Sequence, residues 1–438
     1  MNKKIAKPTN NDVAWEQLFE DHAILSAISE TGFFEIDSLA INKYRESRLM
    51  ANFEHHANLP KIFKEYDLSI LPISRNRYIM GHFDTYFKVN YQPDVEITSF
   101  EFPSSIQRIN DTNLYSENSA LSCAFNTGII QDLLNNEETF YTVAGRMSTG
   151  SFSFGINNKN NTDNSPYHIS VNNSQCEIDA GFESESYFLL VEAKLYDVED
   201  FLIRQLYYPY RLWSSKISKK IIPAFMTYSN LNNKFSFFLY EFENILNYNS
   251  LRLIAQKDYI IEPENIKRID ILSAFSRITP IAEPIDIPFP QADKFERVVD
   301  LLTLLLDREL TKNEIASKYQ FDLRQVDYYT NAAKYLGLVD NFFDLSTKEK
   351  TFRLTGEGKN LLNQKSKTKI LSLIRKILDH EVFYKTFEFT LKNEKVPNNQ
   401  ETCTIISSCN LGISSSTIDR RATTVRRWIE WIWSLFND

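Results

Sequence analysis

Glycine is scarce in this chain, at 11 of 438 residues, while aromatic residues make up 13%. That balance argues against long flexible stretches and for well-filled cores. Cysteine is scarcer still. Cys123, Cys176, Cys403 and Cys409 form no CxxC pair and no zinc-like cluster. They read as reduced thiols of a cytoplasmic protein rather than a disulfide framework. No apolar run approaches the roughly 18 residues that would span a bilayer. The lysines at the start (MNKKIAKPTNND) have no apolar segment behind them, so no signal peptide is expected. A cytoplasmic protein without a membrane partner is the expectation.

A chain of 438 residues is too long for one ordinary core, and two to four domains are expected. The net charge of −8 speaks at first against a polyanionic partner. Its distribution changes that reading. Residues 292–438 carry 23 basic and 20 acidic side chains, a balance of +3, and the remainder carries 26 and 37, a balance of −11. The last third is therefore the more basic part. Overall charge therefore does not decide against a polyanionic partner.

Apolar spacing predicts a helix over 15–28 and another near 44–53, with short strands at 68–73 and 78–80. Residues 113–134 read as one helix. Strands follow at 140–143, 152–155, 168–171, 176–180 and 187–193, then a helix over 197–208 and strands at 221–228 and 235–240. Residues 157–165 (NNKNNTDNS) read as a polar loop. The fold class expected is α/β (α+β) and multidomain, with a mixed sheet flanked by helices. Four prolines at 280, 284, 288 and 290 mark residues 279–291 as a linker, after which the pattern is almost wholly helical. The expected division is an α/β region at 1–100, a central domain at 101–278, and helical units at 292–365 and 366–438.

The stretch 177–196 (EIDAGFESESYFLLVEAKLY) carries the sharpest chemical signal. Glu192 and Lys194 stand two positions apart on an apolar strand, so they project to one side. Asp179 comes from the preceding strand, thirteen positions earlier, and a hairpin of that length unites the three. Two carboxylates can hold hard divalent cations, which activate water and neutralise charge at phosphorus. A nearby lysine can orient that water. A second ExK, at Glu357 and Lys359, lies in a helical segment with no upstream strand carboxylate and is set aside. The alternative for Glu192 and Lys194 is a structural ion pair at a strand end.

On these residues the chain resembles the PD-(D/E)xK nuclease superfamily, and within it the Type II restriction endonucleases, over about residues 110–245. Ile178 stands where the name-giving proline would be. The resemblance implies a metal held by Asp179, Glu192 and the carbonyl of Ala193, with Lys194 orienting water and Mg²⁺, one or two ions per site, as cofactor. It gives Glu117 the place of the glutamate often found on the helix before the sheet. It gives Arg204 and Gln205 the helix after the lysine strand. Arg146, in GRMSTGSFSF, is a possible phosphate contact.

The order of elements over 294–362 is similar to a winged helix-turn-helix. TKNE at 311–314 reads as a capping box, Asp322 as a helix cap and 341–355 as a two-stranded wing. The resemblance makes Arg324, Gln325, Tyr328 and Asn331 candidate base readers, and Lys348 and Lys350 phosphate contacts. A further helical unit ends in SSSTIDRRATTVRRWIEWIWSLF. Arg420, Arg421, Arg426 and Arg427 there are candidate DNA contacts, Ser414–Thr417 a cap able to receive phosphate, and Trp428, Trp431 and Trp433 core residues. Arg45, Arg48, Arg75 and Arg77 either grip DNA or are solvated, and His55 and His56 read as surface histidines.

The function expected is a Type II restriction endonuclease that cuts double-stranded DNA as a homodimer, beside a cognate DNA methyltransferase. A modification-dependent endonuclease and a DNA-binding transcription regulator with an inert middle domain are the alternatives.

Overall fold

A computed structural model of the chain describes residues 9–436, apart from 104, 110–112, 161–164, 232, 262–265, 285, 319–322, 346–347, 365, 410 and 412–413. Two compact units divide it. One gathers Met1–Thr98, Leu121–Thr227 and Phe235–Tyr259, the other Ser99–Ala120, Tyr228–Lys234 and Ile260–Asp438. The fold is mixed α/β, with helices flanking a mixed sheet.

The first unit begins with the helix Asn10–Asp21. Thr9 and Asp12 close a capping box at its start, satisfying N–H groups that the first turn leaves open. Trp15, Leu18 and Phe19 fall on one face and are buried. They pack with Phe53 and Phe63 in an aromatic core. Strands β1 (Phe33–Asp37), β2 (Ser69–Pro72) and β3 (Arg77–Gly81) form a small antiparallel sheet in the order β1-β3-β2. The helix expected near 44–53 is reduced to the single turn Ser47–Met50.

The principal sheet holds β5 (Ile97–Phe100), β6 (Phe140–Ser148), β9 (Gln175–Glu183), β10 (Tyr187–Lys194), β12 (Lys220–Ser229), β13 (Lys234–Phe242) and β14 (Leu251–Ile261), in the order β5-β14-β13-β12-β10-β9-β6. Two further pairs complete the strands: β4 (Tyr86–Lys88) with β11 (Asp200–Leu202), and β7 (Ser151–Ile156) with β8 (Tyr167–Asn172). β10 is buried along nearly its whole length, which is why it reads as a continuous apolar run. It pairs antiparallel with β9 and parallel with β12. A parallel pair needs a crossover, and the helix Arg204–Ser214 lies within it. Gly181 sits where β9 presses closest on β6 and β10. A side chain there would meet Val143 at 3.1 Å and the ring of Phe188 at 3.2 Å.

Three more expected helices differ, the one over 15–28 because Ala23, at a φ of +47°, divides Asn10–Asp21 from Ile24–Thr31. The helix expected over 113–134 is broken at Gly128, whose φ of +90° suits only glycine well, leaving Glu117–Asn126 and Ile129–Leu133. The helix expected from 197 starts at Arg204, because Asp200–Leu202 is drawn into pairing with β4.

In the second unit the helix Leu323–Tyr335 packs with both Phe295–Asp307 and Lys312–Lys318. β15 (Leu310–Thr311), β16 (Val339–Asp344) and β17 (Glu349–Leu354) form a three-stranded sheet in the order β15-β17-β16. Thr311 and Glu314 exchange the expected capping hydrogen bonds, at 2.8 and 3.3 Å. Asp322 lies outside the described residues. The proline-bearing segment is not a bare linker. Ile281 bridges to His380, Phe289 stacks on Phe383, and Glu283 accepts hydrogen bonds from Tyr335 and the Val382 amide. The chain ends in the helices Ser366–Leu378, Glu381–Asn393, Asn399–Ser408 and Ser415–Ser434. No helix among the described residues is long and apolar enough to cross a membrane.

Trp428 is fully buried between Phe295 and Phe383, and its indole N–H donates to the Ala292 carbonyl at 2.7 Å. Trp428→Ala is expected to cost about 3–5 kcal/mol of stability. Chemical denaturation checks this, and a loss below about 1 kcal/mol would show that the ring is not a core residue.

Candidate functional site

The site forms where β9 and β10 separate. Their register runs from Phe188↔Glu183 to Val191↔Ala180. One step further, the Asp179 carboxylate takes the Ala193 N–H, with Oδ2 accepting at 2.8 Å. Glu192 and Lys194 share a face of β10, as alternation requires, and Lys194 Nζ donates to Glu192 Oε1 at 2.7 Å. Both side chains are buried. Gln205, in the first turn of the Arg204–Ser214 helix, donates its amide to the same oxygen of Glu192. The expected residues Asp179, Glu192, Ala193, Lys194 and Gln205 are therefore brought together.

A residue the sequence reading missed completes the cluster. Glu54, on the N-terminal segment, places Oε2 3.4 Å from Lys194 Nζ. Its segment is well anchored. Leu202 N–H donates to the Glu54 carbonyl at 3.0 Å, and Tyr86 Oη donates to the Phe53 carbonyl at 2.8 Å. Arg204 donates to Asn52 Oδ1 at 3.3 Å. His55 is buried rather than on the surface as expected, with Nδ1 2.7 Å from the Asp200 carbonyl oxygen. His56 is exposed. No spacing rule points to Glu54, since its partners lie in another part of the chain.

The charges are out of balance. Asp179, Glu192 and Glu54 set three carboxylates around the single ammonium of Lys194. Burial, reinforced by the charge of Asp179, raises the Glu192 carboxyl well above the usual range. Burial also raises Asp179, against the pull of Lys194. Glu54 is lowered, chiefly by the Lys194 ammonium, and keeps 39% of its side-chain surface exposed. An all-oxygen donor set with excess negative charge suits a hard divalent cation. As the side chains stand, no group of three or more His, Cys, Asp or Glu among the described residues is arranged to hold a metal. Lys194 and Gln205 occupy Glu192, and Ala193 occupies Asp179.

Other expected residues lie elsewhere. Glu117 opens the helix Glu117–Asn126 and falls in the second unit. Arg146 is exposed on β6 and pairs with Glu177 at 2.9 Å. Arg45 donates to Asn11, Arg48 pairs with Glu46 and Arg77 with Glu35, while Arg75 is exposed.

In the second unit, Arg324, Gln325, Tyr328 and Asn331 share the Leu323–Tyr335 helix, and none is buried. The Arg324 guanidinium lies 5.4 Å over the Tyr328 ring. Lys348 follows β16 at a φ of +55°, and Lys350 lies over Phe352. Burial lowers the Lys350 ammonium, and nearby Lys334 and Lys312 lower it further while Asp327 opposes them. Lys312 and Lys334 thus join a basic group that the sequence reading missed. On the last helix Arg421 donates to Gln291, Arg426 and Arg427 pair with Glu430 at 3.1 and 3.2 Å, and Arg420 is exposed. The Ser414 hydroxyl bonds Thr417 Oγ1 at 3.0 Å.

Three family models match the chain, each described as a domain of unknown function: DUF6996 over residues 12–80, DUF6997 over 81–260 and DUF7226 over 297–437. No curated protein and no solved structure matches it.

The raised Asp179 carboxyl has a consequence for stability. Below the ordinary aspartate value, about 4, folded and unfolded chains are both protonated. As pH rises through that value toward the raised one, the unfolded chain has lost a proton that the native state still binds, so stability falls. Asp179→Asn should therefore melt higher than the wild type at neutral pH without divalent cations. The gain should shrink as pH falls toward the ordinary aspartate value. A variant that melts lower across the whole range would contradict the charge imbalance.

Proposed function

We propose that the protein is a sequence-specific, divalent-metal-dependent DNA endonuclease of the Type II restriction kind, with a PD-(D/E)xK core in the first unit. One observation carries the reading: Asp179 and Glu192, on adjacent strands, gather with Lys194 and Gln205 in a single cluster around a buried ion pair. A purely structural ion pair needs only Glu192 and Lys194. It gives no reason to set a second and third carboxylate against the same ammonium, where like charges oppose folding.

In this reading Asp179 and Glu192, with the Ala193 carbonyl, would hold Mg²⁺. The ion when bound would lower the pKa of water and offset charge at phosphorus. Lys194 orients the attacking water and donates toward the phosphate oxygens. Gln205 holds Glu192 in place, as an outer partner does for a ligating carboxylate. Hydrolysis breaks one P–O bond of the phosphodiester, and the water supplies the oxygen to phosphorus and a proton to the leaving oxygen.

The second unit is read as a winged helix-turn-helix followed by a second helical unit. The Leu323–Tyr335 helix would enter the major groove, with Arg324 and Gln325 able to make bidentate base contacts. Lys348 and Lys350 would meet phosphate. Duplex DNA, a homodimer during cleavage and a cognate DNA methyltransferase are the partners this reading calls for.

A second reading, a DNA-binding regulator with an inert middle domain, is favoured by the engagement of Glu192 with Lys194 and Gln205. Incubating plasmid DNA with Mg²⁺ or Mn²⁺ separates the two, since an endonuclease yields discrete fragments and a regulator none. Parallel digestion of methylated and unmethylated DNA tests whether modification is required or blocks cutting. Lys194→Ala should abolish cleavage while sequence-specific binding persists in a gel-shift assay. Gln205→Ala should lower activity or metal affinity about 10–100-fold. Undiminished cutting by the Lys194 variant would sink the assignment.

A further inference from the structure

We propose that the N-terminal region is part of the catalytic centre, with Glu54 as a positioning residue that takes hold of the Lys194 ammonium when the Glu192 oxygens are engaged by a cation. The inference rests on the nuclease reading above and assigns a role that reading leaves open.

Lys194 has two carboxylate acceptors at different distances, Glu192 at 2.7 Å and Glu54 at 3.4 Å. A cation on Glu192 competes with Lys194 for the same oxygens. A buried ammonium displaced from Glu192 needs another acceptor close by. Glu54 removes that difficulty. A small shift of Nζ passes the lysine from one carboxylate to the other while it stays buried.

The position of Glu54 is fixed from several sides. Its carbonyl accepts from Leu202 N–H, and Asn52 links its Oε1, at 3.4 Å, to Arg204. The neighbouring His55 and His56 are held by Asp200, the latter through its amide at 3.2 Å. Arg204 adjoins Gln205, so one helix start fixes both the Glu192 side and the Glu54 side. Glu54 falls within residues 12–80, whereas Asp179, Glu192, Lys194 and Gln205 fall within 81–260, two segments matched by separate family models. Two sequence modules thus supply one centre.

The test combines melting and cleavage on the full chain. Glu54→Gln and Glu192→Gln, alone and together, are melted without divalent cations. Each single variant keeps one of these two carboxylates beside Lys194, and the pair removes both. The double variant should therefore melt about 5 °C below the sum of the single effects. Glu54→Gln should also cut plasmid DNA about 100-fold more slowly than wild type, the scale of a misplaced catalytic group. Its affinity for the same DNA, measured in EDTA, should be unchanged, and Glu54→Asp should recover part of the rate. Additive melting effects, or wild-type cleavage by Glu54→Gln while Asp179→Ala is dead, would overturn the role of Glu54 and leave the nuclease reading intact. A wild-type protein that cuts nothing with any divalent cation overturns the nuclease reading and the role with it.

Discussion

A buried ammonium must be answered by negative charge, and the way Lys194 is answered organises the first unit. The strand that carries it is apolar from Phe188 to Val191 and has neighbours on both sides. A charged end buried on such a strand must find its counter-charge nearby. Glu192, two residues before Lys194, answers it locally. That alone would make a neutral pair. Asp179 and Glu54 come from a neighbouring strand and from the N-terminal segment, and the cluster becomes anionic. Asp179 raises the electrostatic cost of the fold, whereas Glu54 is held in its charged form chiefly by Lys194. A cluster that is costly as it stands and chemically apt is the usual mark of a site kept for what it binds.

The surroundings are built to hold that cost. Helix and sheet meet over a dense aromatic set in which Tyr207 contacts Phe154, Phe242 and Tyr248 edge-on, with ring centroids 5.0 to 5.2 Å apart. Arg211 closes the set, donating to Tyr207 Oη, the Ser153 carbonyl and the Ile245 carbonyl at 2.8 to 3.0 Å while lying 4.7 Å over Phe152. Aromatic burial of this kind stabilises the unit. It also fixes the helix whose first turn carries Gln205, so packing well away from Glu192 sets the placement of its amide partner.

What could be read from the sequence was what is local. Alternation along a strand put Glu192 and Lys194 on one face, and hairpin length put Asp179 within reach. Gln205 was legible because a helix follows the lysine strand at short range. Its starting point was not, since Asp200–Leu202 is claimed by β4, about 110 residues earlier in the chain, and propensity cannot report a pairing at that distance. The break at Gly128 could have been weighed, for a glycine inside an expected helix is itself a warning. Glu54 and His55 were beyond reach. Nothing in the run of residues around them distinguishes a carboxylate that meets Lys194, or a histidine buried on Asp200, from ordinary surface groups.

The same distinction sharpens which basic residues of the second unit remain plausible DNA contacts under the proposed function. Pairing alone does not remove a residue from consideration. Arg426 and Arg427 share Glu430 within one turn, and exposed pairs at such spacing are worth only about 0.3–0.5 kcal/mol, which phosphate can outbid. Burial is the stronger filter. Arg421 is half-buried, donates to Gln291, and has its guanidinium lowered first by burial and then by Arg420. Moving it to DNA would mean breaking the contact between the last helix and the proline-bearing segment. Its bland role as a fastener therefore outweighs a role in recognition. Lys350 differs, because it is exposed while lying near the like charges of Lys334 and Lys312. Repulsion among ammonium groups is relieved by an anion and not by further packing. By that criterion the wing and the Leu323–Tyr335 helix, more than the terminal helix, form the surface on which a phosphate would gain most.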